Sequence, residues 1–201
     1  GITVVVTAFN ASRYISRCID SIINQRDEFC EIVVINDGSS DQTKEVLAKY
    51  GDRIKYREFY ENQGPAVGRT LGLNETKTEF VAFIDADDYV ATNSLGQLIE
   101  YAEREYLDVM YLSFAVYNNN GIFCGETDYS LLKGKIFDGL KTYLITHGKK
   151  ERDSDRSVGI IIRKSILQKN KLSYLNDMPY LEDGHFIGKI LCLAERCAFS
   201  D

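Results

Sequence analysis

Long apolar runs separated by stretches of helical period restrict what this chain can fold into more than any other feature. Phe80-Val81-Ala82-Phe83-Ile84 puts five apolar residues in a row. A strand with one wet face would alternate, so this run fits a strand buried on both sides, as in a parallel sheet. Ile2–Thr7 and Glu31–Asn36 read as strands, with Ile54–Phe59 as another before Phe80. Between them apolar residues recur at helical spacing: Tyr14, Ile15, Cys18, Ile19, Ile22 and Ile23, then Val46, Leu47 and Tyr50. Ala66–Leu73 follows Gly64-Pro65, where proline suits a first helical turn, and a further helix is expected from Ser94 to Glu105. Ser39-Ser40-Asp41-Gln42 has the spacing of a capping box ahead of the second helix. Strand and helix alternating at this rhythm specify an α/β fold: a Rossmann-like, mostly parallel sheet flanked by helices, with right-handed crossovers.

The second half is less regular. Val109–Tyr117 reads as one strand and residues 118–121 as a turn or hairpin tip. Residues 147–156 carry mixed charge without periodicity and read as a mobile, solvated connector. Val158–Ile162 is another strand, and Phe186, Ile187, Ile190, Leu191 and Ala194 form one helical face before a short strand near Ala198. No repeat or linker divides the 201 residues, so the expectation is one domain with two halves, 1–105 and 106–201. Because residue 2 already begins a strand, the chain is expected to be cut from a longer polypeptide, whose other segments could include a membrane anchor.

Composition excludes several classes of function. Hydrophobic content of 44% and charged content of 27% are those of an ordinary globular protein. A net charge of -6 gives no bulk attraction to nucleic acid, and no apolar stretch is long enough to span a bilayer. The five cysteines are odd in number and form no C-x-x-C, against both a zinc ribbon and a disulfide framework. Cys18 and Cys192 fall on apolar helical faces and read as buried thiols in a reducing, cytoplasmic setting.

In such a sheet, ligands bind beyond the carboxyl ends of the strands. Three strand ends carry candidate chemistry: Thr7-Ala8-Phe9-Asn10, Asn36-Asp37-Gly38-Ser39 and Asp85-Ala86-Asp87-Asp88. The first turn lacks G-x-G-x-x-G, so no glycine loop is available there to cradle a pyrophosphate. Three carboxylates within four positions repel one another unless a cation neutralises them, and oxygen-only ligands favour a hard divalent ion with sites open to phosphate. Read alone, the cluster is either a solvated acidic turn or a metal site on a nucleotide diphosphate.

Several of these segments, taken in order, resemble the family-two glycosyltransferases. They are Val4-Val5-Val6-Thr7-Ala8-Phe9-Asn10, Glu31 through Thr43, Asn62-Gln63-Gly64 with Gly68-Arg69, Phe83 through Asp88, and Glu182-Asp183-Gly184-His185-Phe186. The ordered matches run from about residue 3 to residue 195. The resemblance implies the GT-A fold and an inverting, metal-dependent transfer of a sugar from a nucleotide-diphosphate donor, with UDP favoured, to a hydroxyl. It also implies an acceptor that is a glycan or lipid-linked glycan of the cell surface, and peripheral membrane association through segments outside this chain.

Roles follow from that likeness residue by residue. Thr7 and Phe9 match positions beside the nucleobase, and Asp37 matches the acid that accepts from the uracil N–H. Arg69 matches a basic residue near the base or phosphates, although Gly68-Arg69-Thr70 stands where the family commonly has Ala-Arg-Asn. Asp85 and Asp87 match the D-x-D pair on Mn²⁺ or Mg²⁺, with Asp85 also toward the ribose and Asp88 coordinating or orienting its neighbours. Asp183 matches the base, with Glu182 beside it on the substrate. The residues alone also allow an acid at a helix N-terminus for dipole reasons and a turn-forming Asp-Gly at 37–38. Two other functions compete: a magnesium-dependent phosphohydrolase of the haloacid-dehalogenase type, and a nucleotide-sugar-binding domain without turnover.

Overall fold

The structure, a computed structural model, describes residues 1–25, 30–118, 120–147, 156–178 and 180–200. Its first half alternates strand and helix: β1 Ile2–Ala8, α1 Ile15–Ile23, β2 Cys30–Asp37, α2 Thr43–Ala48, β3 Lys55–Phe59, α3 Pro65–Glu75, β4 Phe80–Asp85 and α4 Leu95–Arg104. The second half runs β5 Val109–Tyr111, β6 Phe114–Tyr117, β7 Phe123–Thr127, α5 Gly139–His147, β8 Ile160–Arg163, α6 Lys164–Lys169, α7 Glu182–Leu191 and β9 Cys197–Phe199. One sheet has the order β3-β2-β1-β4-β8-β5-β9. Strands β1 to β4 are parallel. Strand β8 opposes both β4 and β5, so β5 points the same way as β4 and β9 follows it.

The chain moves outward from β1 to β3, and α3 then carries it back past β1 to β4. Strand order reverses beside β1, where open α/β sheets bind ligands. Because β8 is antiparallel, the residues just before it lie at the same edge as the carboxyl end of β4; Val158 bridges Phe83 there. The sheet's two faces divide the core with the strand period of two. Val4 and Val6 belong to the core formed with α1 and α2, whereas Val5 belongs to the one formed with α3 and α7.

Close approach of α3 to β1 depends on small residues. A Cβ on Gly72 would lie 2.1 Å from Val5 Cγ1, and one on Gly68 would lie 3.1 Å from Thr7 Cγ2. The helix therefore seats directly on the strand, and Arg69 between these glycines is drawn into the interior.

The structure departs from the sequence reading in several places. The single strand expected over 109–117 is two: β5 is fully buried in the main sheet, whereas β6 pairs with β7 in a separate ribbon. The break falls at Ser113, whose N–H and hydroxyl bond Ser200 at 3.2 and 2.9 Å and turn the chain away. Helix α5 was not expected because its buried face is Gly139, Thr142 and Thr146, which give no apolar period. Helix α6 is too short, at 6 residues, to show one. No capping box forms at Ser39–Gln42; Gln42 makes no side-chain cap, and the Thr43 N–H that opens α2 donates to Asp41 Oδ1 at 3.0 Å. Cys18 is buried as expected, but Cys192 is exposed, because α7 ends at Leu191 and Cys192 is its C-cap. Residues 148–155 of the expected connector lie outside the described residues. Among the described residues no helix is long and apolar enough to cross a membrane.

Gly72→Ala tests the seating of α3. Overpacking against Val5 costs ~1–3 kcal/mol and outweighs the ~0.5–1 kcal/mol that alanine gains as a helix former. The urea midpoint is expected to fall; an unchanged or higher midpoint would show that α3 does not lie this close.

Candidate active site

The strand ends at the reversal point come together in register. Thr7 pairs with Ile35 on one side and with Asp85 on the other. Phe9, two residues beyond Thr7, is 51% exposed, so its ring is presented to solvent at this edge instead of the core. The loops after β1 and β2 are tied by polar contacts. Asn10 donates its N–H to Ser39 Oγ at 3.0 Å, and its Oδ1 accepts from the Ser40 N–H at 2.9 Å. Ala11 N–H reaches Thr43 Oγ1 at 2.9 Å and Ser12 N–H reaches Asp41 Oδ2 at 3.0 Å. The residues read as a capping box therefore bind the neighbouring loop. Hydration loss works against the Asp41 charge, but the combined hydrogen bonds from Thr43 and Ser12 outweigh it and hold its carboxyl down at about 2.

Asp37 ends β2 almost fully buried. Its two oxygens accept from the Gln63 N–H at 2.7 Å and the Gly64 N–H at 2.9 Å. A charge-assisted pair of this kind fixes the turn that launches α3. Gly38 beside it has φ +68°, and a Cβ there would lie 2.5 Å from the Glu61 carbonyl carbon, so the turn admits only glycine. Among the described residues no hydrogen bond or ion pair joins Asp37 to the acids of β4.

Arg69 is the centre of the site. Its side chain is 6% exposed. It bonds Asp85 Oδ1 at 3.1 Å and Asp183 Oδ1 at 2.8 Å, with Glu182 Oε1 at 3.6 Å. A residue read from sequence as lying near the base or phosphates thus joins the acid at the end of β4 to the two acids that open α7. The guanidinium lies over the Tyr174 ring at 5.9 Å, and Tyr174 stacks on Phe186 of α7 with ring centroids 4.1 Å apart. Ser157 donates to Asp183 Oδ1 at 2.6 Å, and the Tyr174 hydroxyl bonds Ser157 in turn. Leu181, which precedes the two acids, is held at φ +61°, a costly conformation for a non-glycine residue and one that clusters at functional sites.

The acidic turn after β4 is less enclosed. The Asp85 side chain is 43% exposed, and Asp87 and Asp88 reach solvent. Arg17 from α1 donates to the Asp87 carbonyl at 2.8 Å and lies over the Tyr89 ring at 4.7 Å. Loss of hydration, then the charges of Asp85 and Asp87, push the Asp88 carboxyl above the usual range. Cys18 lies beneath, its thiol directed to the Asp85 carbonyl at 3.7 Å. Burial, followed by Asp88, Asp85 and Asp87, raises that thiol to about 12, so it remains protonated and is no nucleophile. Among the described residues no three acid, histidine or cysteine side chains form a ready-made metal cage. Three crowded carboxylates at an open edge instead suit a cation that completes its shell with ligand oxygens.

A family model decides what this arrangement belongs to: that of glycosyl transferase family 2 matches residues 3–169. The chain belongs to glycosyl transferase family 2. It is 31% identical over 208 residues to an uncharacterized glycosyltransferase of Haemophilus influenzae, covering 96% of this chain and 62% of that protein. It is 27% identical to the poly(ribitol-phosphate) β-N-acetylglucosaminyltransferase TarS of Staphylococcus aureus, over 89% of this chain and 34% of that protein. The crystal structure of S. aureus TarS 1-349 in complex with UDP-GlcNAc shares the fold, with a TM-score of 0.81 at 24% identity over 99% of this chain and 55% of that one. The chain thus spans less than two thirds of the length of these relatives. Thr7, Phe9, Asp37, Arg69, Asp85 and Asp183 all lie on segments of the resemblance. Ser157, Tyr174 and Arg17 reach the site from stretches with no readable motif.

Asp41→Asn is expected to lower stability near neutral pH. The folded carboxyl sits at about 2 against an ordinary 3.8. Its stabilisation is therefore present above 3.8 and lost as pH falls through about 2. The difference in urea midpoint between the two proteins should shrink across that interval; a constant difference would show that Asp41 is not the titrating group.

Proposed function

We propose that the chain is the donor-binding and catalytic part of a metal-dependent, inverting glycosyltransferase that moves a sugar from a UDP-sugar to a hydroxyl of a glycan or lipid-linked glycan. The observation that carries this reading is the buried Arg69 ion-pair cluster, which puts the acid of the donor side, Asp85, and the candidate base, Asp183, on one side chain. The UDP and UDP-GlcNAc complexes of TarS, and the mannosyltransferase PcManGT of Pyrobaculum calidifontis in complex with GDP-Man and Mn²⁺, are consistent with a nucleotide-sugar donor here. Membership in the family removes the phosphohydrolase alternative.

In this mechanism Phe9 stacks on the base, Thr7 lines its edge, and Asp37 meets the ring N–H while holding the Gln63-Gly64 turn. Asp85, Asp87 and Asp88 are the residues that would hold Mn²⁺ or Mg²⁺, which when bound supplies Lewis-acid neutralisation of the diphosphate leaving group. Arg69 adds a fixed positive charge at the same place. Asp183 takes the proton of the acceptor hydroxyl as that oxygen forms its bond to the anomeric carbon. The bond from that carbon to the diphosphate oxygen breaks on the opposite face, and the nucleoside diphosphate leaves. Both donors to Asp183 from the described residues meet Oδ1, so Oδ2 is the oxygen assigned to the proton. Glu182, beside the base and 3.6 Å from Arg69, is assigned to the substrate.

Two substitutions separate the roles. Asp87→Asn is expected to abolish Mn²⁺-dependent UDP binding; undiminished affinity by calorimetry would remove the metal assignment. Asp183→Asn should keep UDP affinity and slow transfer or donor hydrolysis by about 10²–10⁴-fold. Near-normal turnover would remove it as the base, and donor binding without any turnover in the unmodified protein would favour a binding module.

A further inference from the structure

We infer that Ser157 and Tyr174 are positioning residues for Asp183, forming a hydroxyl relay that orients its carboxylate; this rests on the reading of Asp183 as the base. Ser157 is fully buried and Tyr174 is 2% exposed. Ser157 donates to Asp183 Oδ1 at 2.6 Å, and the Tyr174 hydroxyl bonds Ser157 from behind. Burial pushes the Tyr174 phenol up, so its hydroxyl keeps the proton that it donates. A phenylalanine at 174 would fill the same space, stack on Phe186 at 4.1 Å and face Phe83 edge-on at 5.5 Å. The two hydroxyls therefore add nothing to packing that apolar groups would lack, and burying them is costly unless both are bonded. Their chain ends on a single oxygen of Asp183.

The second donor to that oxygen, Arg69, cannot perform the same task. Arg69 is shared among Asp85, Asp183 and Glu182, so its position is not set by Asp183 alone. Ser157 is neutral. It fixes the direction of the carboxylate, and it is independent of any ligand drawn to Arg69. Tyr174 contributes twice, because its ring packs on Phe186, one helical turn along α7 from Asp183, while its hydroxyl holds Ser157. The relay thus fixes both the helix that carries the base and the rotamer of the base itself. Neither residue stands in one of the motif segments that carry the resemblance, although Ser157 falls within the residues 3–169 matched by the family model.

The test uses water as acceptor, since donor hydrolysis needs no knowledge of the glycan. Whichever of a panel of UDP-sugars the protein hydrolyses with Mn²⁺ is followed in Ser157→Ala, Ser157→Thr, Tyr174→Phe and Asp183→Asn. Ser157→Ala is expected to lower kcat by ~10–10²-fold, as a displaced catalytic group does. KM for the donor and UDP affinity should stay near those of the unmodified protein. Tyr174→Phe should change kcat in the same direction and less, and Ser157→Thr, which keeps the hydroxyl, should recover most of the rate. An unchanged kcat in both Ser157→Ala and Tyr174→Phe, with Asp183→Asn still impaired, would overturn the relay and leave the base in place. So would a loss confined to KM or UDP affinity. If Asp183→Asn hydrolyses the donor normally, the base reading itself falls and the relay with it. Should Ser157→Ala fail to fold, Tyr174→Phe, which preserves the stacked core, decides the matter.

Discussion

One buried guanidinium organises the functional edge of this protein. Arg69 is taken almost entirely out of water, and that is tolerable only where acids surround it. Asp85 comes from β4, and Glu182 and Asp183 from the first turn of α7, elements that no short loop connects. The ion pair therefore ties the central sheet to the helix of the second half. Removing Arg69 would leave Glu182 and Asp183 largely buried side by side without their counter-charge, a loss of the kind that commonly costs ~3–5 kcal/mol. The seat for Arg69 is prepared by Gly68 and Gly72, which let α3 rest on β1 where any larger residue would hold it off.

Around that hub two kinds of polar network divide the work. Asp37 binds the backbone of Gln63 and Gly64, and the loops after β1 and β2 bind each other through Asn10, Ser39, Asp41 and Thr43. These contacts hold loop geometry beneath an exposed aromatic, Phe9. The acids after β4 are arranged differently: they crowd like charges at an open edge, where Asp85 alone meets Arg69 and Asp87 and Asp88 reach solvent.

Much of this was legible from residue order. The apolar runs of β1, β2 and β4 announced a sheet buried on both faces, and their ends named Thr7, Asp37 and Asp85 as neighbours at one edge. The second half was less legible for physical reasons. Helix α5 buries Gly139, Thr142 and Thr146, so its inward face carries no hydrophobic period. Strands β5 and β6 are two residues apart in sequence, and hydrogen bonds from Ser113 to Ser200 mark the break between them. Cys192 fits the apolar face of α7 by spacing, yet the helix ends one residue earlier and leaves it in water.

The sequence by itself determined the alternation of strand and helix, the parallel sheet and the acids at its edge, because hydrophobic period and strand-end chemistry are local properties of the chain. What only the tertiary structure decided was which side chains meet. Arg69 and Asp183 stand 114 positions apart, and their contact depends on the glycine-mediated seating of α3 and on the course of the chain into α7. Ser157 and Tyr174 carry no motif and acquire a role only from the distances that folding gives them. Local sequence fixes which groups a segment offers, but the partner of a buried charge is set by packing between segments distant in the chain.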